Sequence, residues 1–165
     1  VEHNFHILDG YFQSLFRLEG DARPKVYYEP RIIEHIRGKN IVDPSFGPAG
    51  KANGYYEADF HDKLIDYIRA NVPEFVLIPH KHTHVSGDLQ ERIGRVFGPE
   101  LYSVGTIGEL ADVLFSAKKR YLMYSGSASL SAALRLPSTV LCNRKAVPNF
   151  QYSVNDYIDL MRQYD

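Results

Sequence analysis

Cysteine is nearly absent from this chain. Cys142 is the only one, so no internal disulfide can form. Its place in the apolar run Ser138-Thr139-Val140-Leu141-Cys142 predicts a buried structural thiol rather than a nucleophile, which is compatible with a reducing compartment. A strong excess of charge is lacking too. The formal net charge is −1 and no basic run is longer than Lys118-Lys119-Arg120, which argues against the electrostatic footprint that a nucleic-acid partner requires. No apolar stretch approaches the roughly 20 residues that span a bilayer, and no charged-apolar-small signal pattern opens the chain. Also missing are a Gly-Lys-Ser/Thr phosphate loop, a Gly-x-Gly-x-x-Gly fingerprint and a Ser-His-Asp order, which disfavours the familiar dinucleotide, nucleoside triphosphate and serine-hydrolase chemistries. There is no internal repeat and no low-complexity segment.

What is present suits a folded domain. Of 165 residues, 44% are hydrophobic and 24% charged, and 12 Tyr with 9 Phe supply aromatic surface to bury. That length allows one domain plus an appendage. The first residue, Val1, is not methionine, which suggests a processed chain or a fragment.

Residues 3–18 place Phe5, Leu8, Phe12, Leu15 and Phe16 at helical spacing before Gly20, predicting an amphipathic helix. Residues 23–30, with Pro24 and Pro30, predict an extended or turn-like linker. A new unit then begins. A strand at 39–46 around Ile41-Val42 leads into a flexible loop rich in Gly and Pro. A helix at 59–71 follows, with Asp59 as its N-cap. The uninterrupted run Phe75-Val76-Leu77-Ile78 reads as a strand buried on both faces. Helices at 88–97, from Thr106 and at 127–134 alternate with strands at 101–104, 120–124 and 138–142. The second of these helices opens with a capping-box pattern, Thr106-Ile107-Gly108-Glu109. Residues 154–161 predict a last amphipathic helix. Five strands with short connections predict an open, doubly wound parallel sheet, Rossmann-like, with right-handed crossovers. The expected division is an N-terminal helix and linker over 1–37 and an α/β domain over 38–165.

In such sheets ligands bind beyond the carboxyl ends of the strands. Ser125-Gly126-Ser127-Ala128-Ser129 is a small-residue turn running into a helix. Backbone N–H groups, the helix dipole and three hydroxyls could meet a phosphate there, or the small residues could merely permit the turn. Ser45 ends the first strand, and Lys51 in the loop beyond it could swing onto a phosphate or remain a solvated lysine. Gly105 and Thr106 stand where backbone meets a base or ribose, although a plain N-cap accounts for Thr106 as well. His80, His82 and His84 alternate so that an extended chain would present three imidazoles to one side, a spacing open to zinc, but no carboxylate or cysteine beside them completes a set. Exposed histidines are the simpler reading, and His80, directly after Ile78-Pro79, is placed to face the cleft.

The run 104–117, Val-Gly-Thr-Ile-Gly-Glu-Leu-Ala-Asp-Val-Leu-Phe-Ser-Ala, followed by 124–137, Tyr-Ser-Gly-Ser-Ala-Ser-Leu-Ser-Ala-Ala-Leu-Arg-Leu-Pro, resembles the carboxyl-terminal half of the GT-B glycosyltransferases, most of all the heptosyltransferase-like family. The family pattern is a Glu-Leu-Ala helix, a strand, an Asp-Ser/Thr-Gly-x-x-His turn and an alanine-rich helix ending in a step to Pro. Ser125, Gly126, Leu130, Ala132, Ala133, Leu134 and Pro137 match it, while Tyr124 stands in place of the acid and Ser129 in place of the histidine. Pro44, Ser45, Lys51, Tyr55 and Phe60 are similar to the family's first strand and phosphate-binding loop, and 3–18 with the Arg-Pro linker is similar to the segment that joins its two halves.

The resemblance implies the donor-binding half of a metal-independent, cofactor-free glycosyltransferase that moves a hexosyl or heptosyl group from a nucleotide-sugar to a glycan or lipid-linked acceptor. It implies a preceding N-terminal domain that supplies the acceptor site and the catalytic base, so no catalytic residue is named in this chain. It also implies a role in cell-surface polysaccharide synthesis and a cytoplasmic setting, with room for peripheral association at the inner membrane face. The donor site it implies comprises Ser45, Lys51, His80, Gly105, Thr106, Ser125, Gly126, Ser127 and Ser129. Two alternatives stay open. One is a non-catalytic sugar-nucleotide-binding or regulatory module, to which Tyr124 and Ser129 point; the other is a metal-dependent hydrolase using His80, His82 and His84.

Overall fold

The computed structural model describes residues 26–46, 50, 54–79, 87–143 and 151–162. Along them run β1 (Asn40–Asp43), α1 (Ala58–Asn71), β2 (Phe75–Leu77), α2 (Gly87–Phe97), β3 (Glu100–Leu101), α3 (Ile107–Ser116), β4 (Lys119–Met123), α4 (Gly126–Ala133), β5 (Thr139–Cys142) and β6 (Asp156–Asp159). The strands form one sheet in the order β3-β2-β1-β4-β5-β6, and every pairing is parallel.

Strand side chains alternate between two faces, and the core divides accordingly. Val42, Leu77, Tyr121, Met123 and Leu141 join Phe60, Leu64 and Ile68 of α1 and Leu89 and Ile93 of α2 in one cluster. Ile41, Val76, Leu122 and Val140 join Val113 and Leu114 of α3 and Ala128 of α4 in the other. Helices therefore cover both sides, as the continuous apolar runs predict. The order reverses between β1 and β4, which puts the topological switch point at their carboxyl ends.

The structure changes several sequence expectations. The described residues form six strands rather than five, because 156–159, expected within a terminal helix, pair in parallel with β5 from Thr139↔Asp156 to Cys142↔Asp159. The window 154–161 is short enough to satisfy either periodicity, and the ladder along β5 decides it. Tyr157 packs toward one core cluster and Ile158 toward the other, as successive strand residues must. The third strand is Glu100–Leu101 instead of 101–104, both of its side chains are exposed, and it forms an edge of the sheet. Glu57 rather than Asp59 is the N-cap of α1, without a side-chain cap bond, and Asp59 lies in the first turn. Cys142 is buried, as expected. The amphipathic helix expected at 3–18 lies outside the described residues.

Residues 28–36 lie on the same core. Ile36 is fully buried, Ile33 N–H donates to Ser116 Oγ at 2.7 Å, and Asp112 of α3 accepts from Tyr28 Oη at 3.0 Å and from Arg31 N–H at 2.7 Å. Arg120 is a buried cation in β4. Its Nε donates to Leu114 O, Nη2 to Ala117 O at 2.8 Å and Nη1 to Pro137 O at 3.3 Å. Burial lowers its pKa, and the guanidinium sits where the last carbonyls of α3 carry the negative end of the helix dipole.

Candidate functional site

The carboxyl end of β1 carries a carboxylate. Asp43 is fully buried, and strand alternation puts its side chain on the α3/α4 side, with Ile41. Oδ1 accepts the Ser45 N–H at 3.0 Å and the Ser45 hydroxyl at 2.5 Å, which closes a turn of the kind in which Asp bonds the backbone two residues on. Oδ2 accepts the Ser127 hydroxyl at 2.5 Å. Ser127 belongs to the first turn of α4, so one side chain ties the loop after β1 to the helix after β4, across the switch point.

In that helix Ser125 is the N-cap, in extended backbone and with no side-chain cap bond. Its Oγ is buried and makes no hydrogen bond among the described residues. Gly126 is exposed, and a Cβ built there would meet nothing within 4 Å. The first N–H groups of any helix lack intrahelical acceptors, so the turn faces open space with unused donors at the positive end of a dipole. Ser129 lies one turn further along, half-buried. Tyr124, just before the turn, packs edge-on against Tyr157 at 6.3 Å. This corner's carboxylate thus comes from β1, not from the end of β4.

Aromatic side chains pack together where the chain leaves β1 and where it enters α1. Phe46, Tyr55 and Phe60 are buried, with ring centroids 5.5 Å apart for Phe46–Tyr55 and 4.8 Å for Tyr55–Phe60, and burial pushes the Tyr55 phenol above its ordinary pKa. Gly50 lies against the Phe46 ring, where a Cβ would collide. Lys51 falls between Gly50 and Gly54, outside the described residues, as do His80, His82 and His84.

Thr106 and Gly105 are occupied differently. Thr106 Oγ1 accepts the Glu109 N–H at 3.1 Å, and Glu109 Oε2 accepts the N–H of Gly105 at 2.6 Å and of Thr106 at 3.1 Å. The capping box read from the sequence is complete. Replacing Thr106 with alanine is expected to cost about 1 kcal/mol of stability, measured by urea unfolding, and serine is expected to restore most of it.

A groove of about 1050 Å³ lies elsewhere. Lys39, Asn40, Glu74, Phe75, Glu100 and Lys118 are among its walls, which places it at the amino ends of the strands, and none of the predicted site residues among the described ones lines it. The switch-point corner is the better candidate, because the carboxyl ends of the central strands and the buried Ser125 hydroxyl without a partner among the described residues come together there.

Asp43 is not among the site residues expected from the sequence. Its signal is an acid at the last position of a central strand, on the face of the crossover helix. Among the described residues no helix is long and apolar enough to cross a membrane.

No family model matches the chain, and no curated protein matches it in sequence. Solved structures do. The glycosyl transferase family 9 protein from Veillonella parvula DSM 2008 superposes with a TM-score of 0.57 over 96% of this chain and 50% of its own, at 13% identity. The dodecameric iron-containing heptosyltransferase TibC, solved in complex with ADP-D-beta-D-heptose, does so with a TM-score of 0.51 over 79% of this chain and 34% of its own, at 16% identity. The chain thus spans half or less of the length of either. The finding these matches support is one of fold: an α/β unit of the kind present in these glycosyltransferases.

Proposed function

We propose that the chain is the donor-binding half of a nucleotide-sugar-dependent glycosyltransferase. One observation carries this reading. At the switch point of a glycosyltransferase-like sheet, the α4 amino terminus presents open backbone donors beside Gly126 and the unpaired Ser125 hydroxyl. A diphosphate is met there by helix N–H groups and by Lys51 from the adjoining loop, with Ser45, Ser127 and Ser129 shaping the turn. The nucleoside lies toward Gly105 and Thr106 and meets carbonyls and backbone surface, since their N–H groups are used by Glu109, and His80, which follows β2 in sequence, is assigned to the same donor site. Fixed dipoles and the lysine stabilise the departing nucleoside diphosphate as charge develops on it. The acceptor and the catalytic base belong to a preceding domain, and the sugar goes to a glycan or a lipid-linked saccharide in cytoplasmic polysaccharide synthesis.

The test is a thermal-shift series with ADP, UDP, GDP and CDP. A ligand present at about 100 times its Kd adds about 2.7 kcal/mol, and one of the four is expected to raise Tm by several degrees. Lys51→Ala is expected to remove the shift. If no nucleoside diphosphate moves Tm, the donor-site reading is wrong.

A second reading, a sugar-nucleotide-binding module without transfer chemistry, is favoured by Tyr124, whose ring packs on Tyr157 where the resembling enzymes carry an acid. It predicts the same shift, but no transfer or donor hydrolysis when the full-length protein is assayed.

A further inference from the structure

We propose that Asp43 is the positioning residue of this corner. Its carboxylate fixes the loop after β1 against the first turn of α4 and turns the Ser45 and Ser127 hydroxyl protons inward. A bound diphosphate is then met by the α4 backbone N–H groups and the Ser125 hydroxyl, and not by those two serines. The inference rests on the donor-site reading above, and it concerns how that site is held in shape.

The geometry leads there directly. An ionised carboxylate is an acceptor only, and a serine hydroxyl has one proton to give. With Ser45 Oγ and Ser127 Oγ each 2.5 Å from an Asp43 oxygen, both protons point at Asp43. Toward the cleft these serines can offer only lone pairs, which repel phosphate oxygens. Ser125 is different, since its buried hydroxyl has no partner among the described residues and its proton is available. Asp43, Ser45 and Ser127 are all buried, so they form the floor of the corner and Asp43 acts through its neighbours. The tie also crosses the switch point, because Asp43 is the last paired residue of β1, in register with Leu122 of β4. A helix start and a strand end that share a core cluster through Ile41 and Ala128 are pinned together by hydrogen bonds as well.

This role makes two substitutions act in opposite directions. In Asp43→Asn the amide oxygen can still accept both Ser45 bonds, while the amide nitrogen donates to Ser127 Oγ. The tie survives, the Ser127 proton turns outward, and a negative charge beneath an anion site disappears. In Asp43→Ala the tie is lost. Binding of the most stabilising nucleoside diphosphate is to be measured by titration calorimetry on the full chain, well below each variant's Tm. The expected results are a Kd about tenfold weaker in Asp43→Ala and a Kd tighter than wild type in Asp43→Asn.

A wild-type Kd in Asp43→Ala with only a lowered Tm would overturn the proposal by showing a purely structural residue. Weakening in Asp43→Asn equal to that in Asp43→Ala would overturn it too, because the charge would then matter and not the tie. Should Asp43→Ala fail to fold, Ser127→Ala cuts the same tie, with weaker binding expected and an unchanged Kd decisive against it. If wild type binds none of the four nucleotides, the donor-site reading falls and amide hydrogen exchange decides the tie by itself. Faster exchange at 44–46 and 126–128 in Asp43→Ala, restored in Asp43→Asn, supports it, and unchanged exchange overturns it.

Discussion

Replacing Arg120 with alanine is expected to lower the unfolding free energy by about 3 kcal/mol or more, since several buried carbonyls lose a charged donor together. Three nitrogens of this guanidinium donate to the carbonyls of Leu114, Ala117 and Pro137, which come from the end of α3, its C-cap and the turn into β5. Alanine leaves those oxygens in a site where Arg120 itself is only 8% exposed, and it also removes the aliphatic stem that packs there. Arg120→Lys is expected to fall between the two, because a single ammonium cannot reach three divergent acceptors as a planar fork does. Urea unfolding monitored by circular dichroism reads the difference. A loss below about 0.5 kcal/mol, the range of ordinary surface changes, would mean that water reaches the carbonyls and that the guanidinium is dispensable.

Ser127→Phe is expected to cost about 3 kcal/mol, the combined effect of overpacking and of a carboxylate deprived of a donor. Ser127 is 4% exposed and lies in hydrogen-bond contact with Asp43, so a ring can enter only by displacing α4 from the end of β1. For a chain of this size each kcal/mol lowers Tm by about 2–4 °C. The ligand response should change as well, because the displaced turn no longer aims its N–H groups at an anion. The expected outcome is a folded protein of lower Tm with no nucleoside diphosphate shift. A full shift retained in Ser127→Phe would place the ligand away from this turn.

Much of this architecture was legible in the residues. β1, β2 and β5 carry the short apolar runs Ile41-Val42, Phe75-Val76-Leu77 and Val140-Leu141-Cys142, and such runs buried on both faces announce themselves without reference to partners. Thr106 and Glu109 marked the start of α3 because both halves of a capping box are local. The misplaced elements lie at the margins. Glu100 and Leu101 have exposed side chains and form a strand through backbone bonding to β2, so hydropathy sets the expected strand one residue late, at 101–104. Residues 156–159 are a strand because β5 offers them a ladder, a fact about a neighbour rather than about their own pattern. The site divides in the same way. The turn Ser125-Gly126-Ser127 was recognisable from composition, whereas the bond from Ser127 to Asp43 joins residues 84 positions apart. Only the register of β1 against β4 brings them together.

That register also bears on how the chain is made. β1 pairs with β2 on one edge and with β4 on the other, and β4 is synthesised long after it. At ribosomal rates the interval is on the order of 10 s. During it, β1, β2 and β3 can associate with α1 and α2 while Ile41, Val76 and Ile78 have no α3 or α4 to cover them, and the free edge of β1 can accept a strand from any other nascent chain. The finished fold hides both hazards in its centre. Codon usage over 90–125, or holdase capture of chains stalled before Lys119, should therefore govern the yield of soluble protein more strongly than any property of the completed sheet.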